Sequence, residues 1–182
     1  VSGHYHGTFS FTSDEDDTYP DGWTVNEDSG EGHVKVLAQK SGHDKVVEIY
    51  DYSLLDGSGI TRDLEDQTSG TVEFWIRSDV NEAYYMNLED GNIFNSLHLF
   101  LNSDTLMYYD GSWHAITTLS KNQWHHFRME FDCSDDWHLW VDGVKMDSDG
   151  YAYRGSPSAV DKFKIYTDGS PSVDEHLWVD AV

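Results

Sequence analysis

A chain of 182 residues is long enough to bury a sizeable core within one domain, and 38% hydrophobic with 14% aromatic content excludes a disordered polymer. The 34 acidic and 11 basic side chains leave a formal charge of −23, which repels nucleic-acid phosphates and anionic lipid. Asp outnumbers Glu and Lys is scarce, a balance that suits Ca²⁺ coordination by carboxylate oxygens or a hydrated surface tuned to salt.

In chain order, the apolar segments are short, alternate with polar residues and end at Gly, Asp, Ser or Asn, the pattern of an all-β protein. GTFSF (7–11) and HVKVL (33–37) are weak strand candidates. KVVEIYD (45–51), GTVEFWIRS (70–78), AYYMNLED (83–90), SLHLFLN (96–102) and TLMYYDG (105–111) are clear ones, and WHAITTL (113–119) is weak again. Two strands flank the acidic turn of QWHHFRMEFDCSDDWHLWVDG (123–143), and DKFKIYT (161–167) and HLWVDAV (176–182) complete the set. Asp-Gly pairs at 21–22, 90–91, 110–111, 142–143 and 168–169 supply turns. Roughly a dozen such strands predict a two-sheet antiparallel jelly-roll sandwich. It forms one domain over 1–182, with 1–8 as an N-terminal arm or pairing strand. No run of about 18 apolar residues predicts a membrane span. The start at Val1 is that of a processed or excised chain, and an extracellular or cell-surface setting is expected.

Strand parity separates a core face from an outer face. Val72, Phe74 and Ile76 share one side of their strand, whereas Glu73, Trp75 and Arg77 share the other. Tyr85, Asn87 and Glu89 oppose Tyr84, Met86 and Leu88; His126, Arg128 and Glu130 oppose Phe127, Met129 and Phe131. His98 and Phe100, Trp140 with His138, and Trp178 with His176 are likewise out of phase with the core. Flat rings beside carboxylate, guanidinium and imidazole groups suit a polysaccharide, whose CH faces stack on aromatics and whose hydroxyls take hydrogen bonds. Glu73, Trp75, Arg77, Tyr85, His126, Arg128, Trp140 and Trp178 are therefore the predicted ligand-binding residues. The alternative is that loops cover these rings as a second core layer.

The order FSFTSDEDDTYPDGWTV, DKVVEIYD, SGTVEFWIRS, LMYYDGSWHAI, NQWHHFRMEFDCSDDWHLWVDG and LWVDAV resembles the concanavalin A-like lectin/glucanase superfamily, in particular laminin-G-like domains of prokaryotic surface proteins. The resemblance runs from about Phe9 to Val182 and is more specific for fold than for function. It implies a jelly roll, commonly extracellular, often holding Ca²⁺ and used for glycans, protein ligands or adhesion. The Glu-x-Asp-x-x-Glu strand of the family's glucanases is missing, because Trp75 stands where the second acid would follow Glu73. The alginate-lyase runs are missing as well.

Acidic clusters raise a metal question. SDEDD (13–17) follows the first strand candidate and Asp180 lies in the last, and first and last strands of sandwiches often adjoin. Asp14, Asp16, Asp17 and Asp180 are accordingly the predicted Ca²⁺ ligands. DSDG (147–150) reads as a turn, and His4 with His6 as part of the terminal arm. Cys133, beside Asp132 and near Asp135, should carry a raised thiol pKa and no nucleophilic role. Three roles stay open at this point. The first is a non-catalytic module binding a polysaccharide or surface glycan. The second is a structural subunit that joins copies of itself by strand addition through 1–8. The third is a polysaccharide hydrolase or lyase drawing on Glu73, Glu130, Arg77, Arg128, His98, His126 and His138.

Overall fold

A computed structural model describes residues 10–27, 32–52, 57–91, 93–168 and 174–181, the side chains of 93–95 excepted. Its strands are β1 (Thr24–Asn26), β2 (Gly32–Lys40), β3 (His43–Asp51), β4 (Gly59–Gln67), β5 (Ser69–Ser78), β6 (Ala83–Asp90) and β7 (Ile93–Asn102). They continue with β8 (Thr105–Tyr109), β9 (Trp113–Thr118), β10 (His125–Asp132), β11 (Trp137–Val141), β12 (Val144–Lys145), β13 (Val160–Thr167) and β14 (Glu175–Asp180). Two seven-stranded sheets result. Sheet I has the order β1-β4-β13-β6-β7-β8-β9 and sheet II the order β12-β11-β10-β5-β14-β3-β2. The pairings within both are antiparallel. The chain passes between sheets at β1–β2, β3–β4, β4–β5, β5–β6, β9–β10, β12–β13 and β13–β14, which makes the sandwich a jelly roll.

The core forms where the predicted inner faces meet. Val47, Ile49, Phe74, Ile76, Phe127, Met129, Leu139, Leu177 and Val179 of sheet II pack against Ile60, Met86, Leu88, Leu97, Leu99, Leu101, Phe163 and Ile165 of sheet I. Phe74 joins the layers, with its ring 5.3 Å from that of Phe127 in its own sheet and 5.1 Å from that of Phe163 across the sandwich. Trp23 closes one margin between Phe11 and Phe163.

Several expectations change. The described part of GTFSF is a 3-10 turn, Phe11–Ser13, whose Phe11 plugs the core; residues 1–9, and with them the terminal arm, His4 and His6, lie outside the described residues, as do Gly169 and Val182. β4 was not expected, because only Ile60 and Leu64 mark its inner side and its far end is solvated. β14 lies between β5 and β3, whereas β1 belongs to the other sheet, so among the described strands the last does not adjoin the first. The DSDG turn is as predicted, with Asp147 Oδ1 accepting the Gly150 N–H at 2.8 Å and closing it. Among the described residues no helix is long and apolar enough to cross a membrane.

Candidate functional site

The eight residues predicted to form one binding surface fall on two. Glu73, Trp75 and Arg77 of β5, His126 and Arg128 of β10, Trp140 of β11 and Trp178 of β14 share the outer face of sheet II. Tyr85 has the right parity but lies in β6, on the outer face of sheet I, with the whole core between.

On sheet II the polar groups are already engaged with one another, although Arg77 Nε and Arg128 Nε make no hydrogen bond among the described residues. Glu73 takes Arg128 Nε at 3.2 Å and His126 Nε2 at 3.3 Å, and Arg128 also binds Glu130. Arg77 donates to the Asn122 carbonyl and side chain rather than pairing with Glu73. The indole faces are occupied too. Arg128 and Lys145 approach Trp140 at 4.8 and 5.5 Å, and His43 and His126 flank Trp75 at 5.3 and 4.9 Å. Lys40 Nζ lies 3.5 Å over Trp178, which is only 3% exposed. The Trp178 N–H goes to Glu48 at 3.0 Å, and His176 and His33 each reach the same carboxylate at 3.1 Å. Burial alone would raise the Glu48 carboxyl, but the hydrogen bonds from His176 and His33, the His176 charge and the Trp178 N–H outweigh it and hold it at about 2. Within this network Trp178 is a packed structural group, not an open platform.

The predicted calcium ligands do not gather. Asp16 faces Lys45 Nζ at 2.6 Å, Asp17 faces Lys35 at 3.3 Å, and Asp14 accepts the Asp21 N–H. Asp180 is held by His43 Nδ1 at 2.7 Å on the outer side of sheet II. Among the described residues, no group of three or more His, Cys, Asp or Glu is placed to hold a metal ion. Three of the four carboxylates thus face a basic side chain, and the quartet does not fit Ca²⁺, which needs six to eight oxygens. Cys133 behaves as expected, its thiol pushed up by burial and then by Asp132.

The outer face of sheet I is built differently. Cross-strand register aligns Tyr166 of β13, Tyr85 of β6 and Phe100 of β7 in one row. The rings stack at 4.9 and 4.3 Å with interplanar angles of 20° and 14°, a stiff ladder standing on the sheet. The next row aligns Lys164, Asn87 and His98, and Asn87 Nδ2 donates to the Tyr166 hydroxyl at 3.3 Å. At the open end of both rows stands Trp113, braced by Phe100, His98 and Tyr109 at 5.2, 5.0 and 5.0 Å. It remains 42% exposed, while the other tryptophans are half-buried or buried.

His98 is the anomaly of this face. It is 7% exposed, yet neither ring nitrogen has a hydrogen-bond partner among the described residues. Burial first, and the Arg154 charge second, lower its pKa to about 4, so the ring is neutral at physiological pH. A neutral imidazole offers one donor and one acceptor, and burying both unmade costs about 1–3 kcal/mol each. Sequence parity put His98, Phe100 and Tyr85 on an outer face but missed Trp113, Tyr109 and Arg154 as parts of one surface. The signal available was WHAITTL, a weak strand candidate that opens on a tryptophan.

The architecture defines the class of protein as a two-sheet antiparallel jelly-roll sandwich. No family model matches the chain, and no curated protein is significantly similar to it in sequence. Solved structures are. A "Sialidase" superposes with a TM-score of 0.74 at 11% identity, over 88% of this chain and 17% of the sialidase. "Cellulose induced protein, Cip1" superposes with a TM-score of 0.69 at 13% identity, over 96% of this chain and 94% of that one. A tetrameric galectin from the ball sponge Cinachyrella sp. gives 0.52 at 18% identity, over 66% and 96%. The chain therefore spans about a sixth of the sialidase and nearly all of Cip1, and at these identities the likeness establishes the fold.

Proposed function

We propose that the protein is a non-catalytic carbohydrate-binding module, active where glycans are displayed outside cells, and that it binds through the outer face of sheet I. One observation carries this reading: an exposed indole, Trp113, packs against a buried neutral imidazole, His98, that has no hydrogen-bond partner among the described residues. A sugar supplies what both lack, since its CH face covers an indole and its hydroxyls donate and accept together. Sheet II is the weaker candidate, because a ligand there would first have to displace ion pairs and cation–π contacts already made. The likeness to a galectin and a sialidase is in keeping with the reading.

Affinity electrophoresis against a panel of neutral and acidic polysaccharides tests it. Retardation by at least one polymer is expected, lost in Trp113→Ala and kept in Trp75→Ala. The reverse pattern would move the site to sheet II, and no retardation by any polymer would end the reading.

A further inference from the structure

Resting on that reading, the geometry points to the ligand class: we infer that the sheet I face selects sugars bearing a carboxylate, with Arg154 as the residue that binds the acid. The arginines of the chain differ in one respect. Arg62 donates to the Gly22 carbonyl, Arg77 to Asn122, and Arg128 lies between Glu73 and Glu130. Arg154 is exposed, and among the described residues no carboxylate or carbonyl accepts from its guanidinium. Its contact is the ring of Tyr109, 5.2 Å from Cζ. A ring face orients a guanidinium but leaves its in-plane N–H groups free, and that planar fork matches a carboxylate with two parallel hydrogen bonds.

The fork is held at the site. The Arg154 N–H donates to the Ser96 carbonyl at 3.0 Å, two residues before His98 on β7. Further along the same loop, Ser158 N–H and Oγ both bind Asp90 Oδ2, at 2.8 and 3.2 Å. The second half of the loop is thus pinned to sheet I at two points, while its first half is bonded to β11 of sheet II. The Tyr109 ring lies against Arg154 and also beside Trp113 and His98, with ring centroids 5.0 and 5.9 Å away. A pyranose stacked on the exposed part of Trp113 would therefore present a ring substituent to Arg154.

Charge permits this on so acidic a chain. Lys164 stands over Tyr166 at 4.4 Å on the same face. Of the nearby acids, Asp110 is engaged with His114 at 3.0 Å and Asp168 with the Tyr85 hydroxyl at 3.4 Å, while burial pushes the Glu89 carboxyl up and its Oε1 has no hydrogen-bond partner among the described residues. The remaining negative charge is screened beyond about 8 Å at physiological salt.

The test uses polygalacturonate, alginate, hyaluronan and polysialic acid, each beside its carboxyl-reduced neutral form, with dextran sulfate as a second anion. Wild type should bind at least one carboxylated polymer ten-fold or more tightly than its reduced form, and more tightly than dextran sulfate. Arg154→Gln should bring that polymer down to the level of the reduced form without changing the melting temperature, and Arg154→Lys should recover part of the loss. Three results would overturn the inference: no carboxylated polymer bound, equal binding of the carboxylated and reduced forms, or Arg154→Gln weakening both forms alike. If Trp113→Ala abolishes binding to a neutral polysaccharide that Arg154→Gln leaves intact, the module stands and the acid preference falls.

Discussion

Replacing Glu48 by Gln probes the network under sheet II. The carboxylate is 8% exposed and accepts from His33, His176 and Trp178. Its pKa falls from 4.5 to about 2 in the folded protein, and about 1.4 kcal/mol per unit makes this worth about 3 kcal/mol of stability when fully expressed. Because the folded pKa is depressed, that stability is present above 4.5 and is lost as pH falls toward 2; at pH 3 about 1 kcal/mol remains. The Glu48 hydrogen bond raises the His176 pKa against the opposing effect of burial, so the imidazolium part is present below about 6.5 and is lost as pH rises through the folded value. The stability difference between wild type and Glu48→Gln should therefore peak between about pH 5 and 6.5, near 3 kcal/mol, and shrink on both sides. Urea unfolding from pH 3 to 8, followed by tryptophan fluorescence, reads it directly. A difference that stays constant across that range would refute the charge assignment and leave only a packing role for Glu48.

Glu175 should respond in the opposite sense. Burial raises its carboxyl to about 7 against two backbone N–H donors, with Asp51 adding to the rise, so ionisation costs stability as pH climbs from 4.5 through 7. Glu175→Gln should accordingly be more stabilising at pH 8 than at pH 5 by about 2–3 kcal/mol in urea melts. Leu99→Ala removes a side chain with no solvent exposure from the centre of the sandwich and should cost about 3–5 kcal/mol, read from the shift in urea midpoint. A methyl group at Gly59 would sit 2.6 Å from the Ile165 carbonyl oxygen and clash with Tyr166. Gly59→Ala should therefore cost about 1–3 kcal/mol or more, and weaken glycan binding by shifting the ladder. Gly42, at φ 92° with open space around its missing Cβ, should lose about 1–2 kcal/mol to backbone strain as Gly42→Ala, with binding intact.

How much was legible in the sequence differs from residue to residue. Period-two alternation put Phe74 and Ile76 inward and Trp75 and Arg77 outward, and the side chains obey it because successive Cβ atoms must alternate. Asp142-Gly143, both at positive φ, makes the tight turn between β11 and β12 that its composition predicts. β4 escaped because a strand whose far half is solvated carries little apolar alternation. Inner and outer parity, turn positions and the sandwich class were thus set by the chain's local chemistry. Which outer faces coincide was decided only by strand order. Tyr85 and Trp75 share a parity but belong to opposite sheets, and Asp180 meets His43 rather than Asp16 because β14 lies beside β3. Accessibility was decided there too. Trp178 and Trp113 look alike in sequence, yet a lysine at the end of β2, two strands away in sheet II, covers one while the other stays 42% exposed, since exposure depends on groups brought from distant parts of the chain.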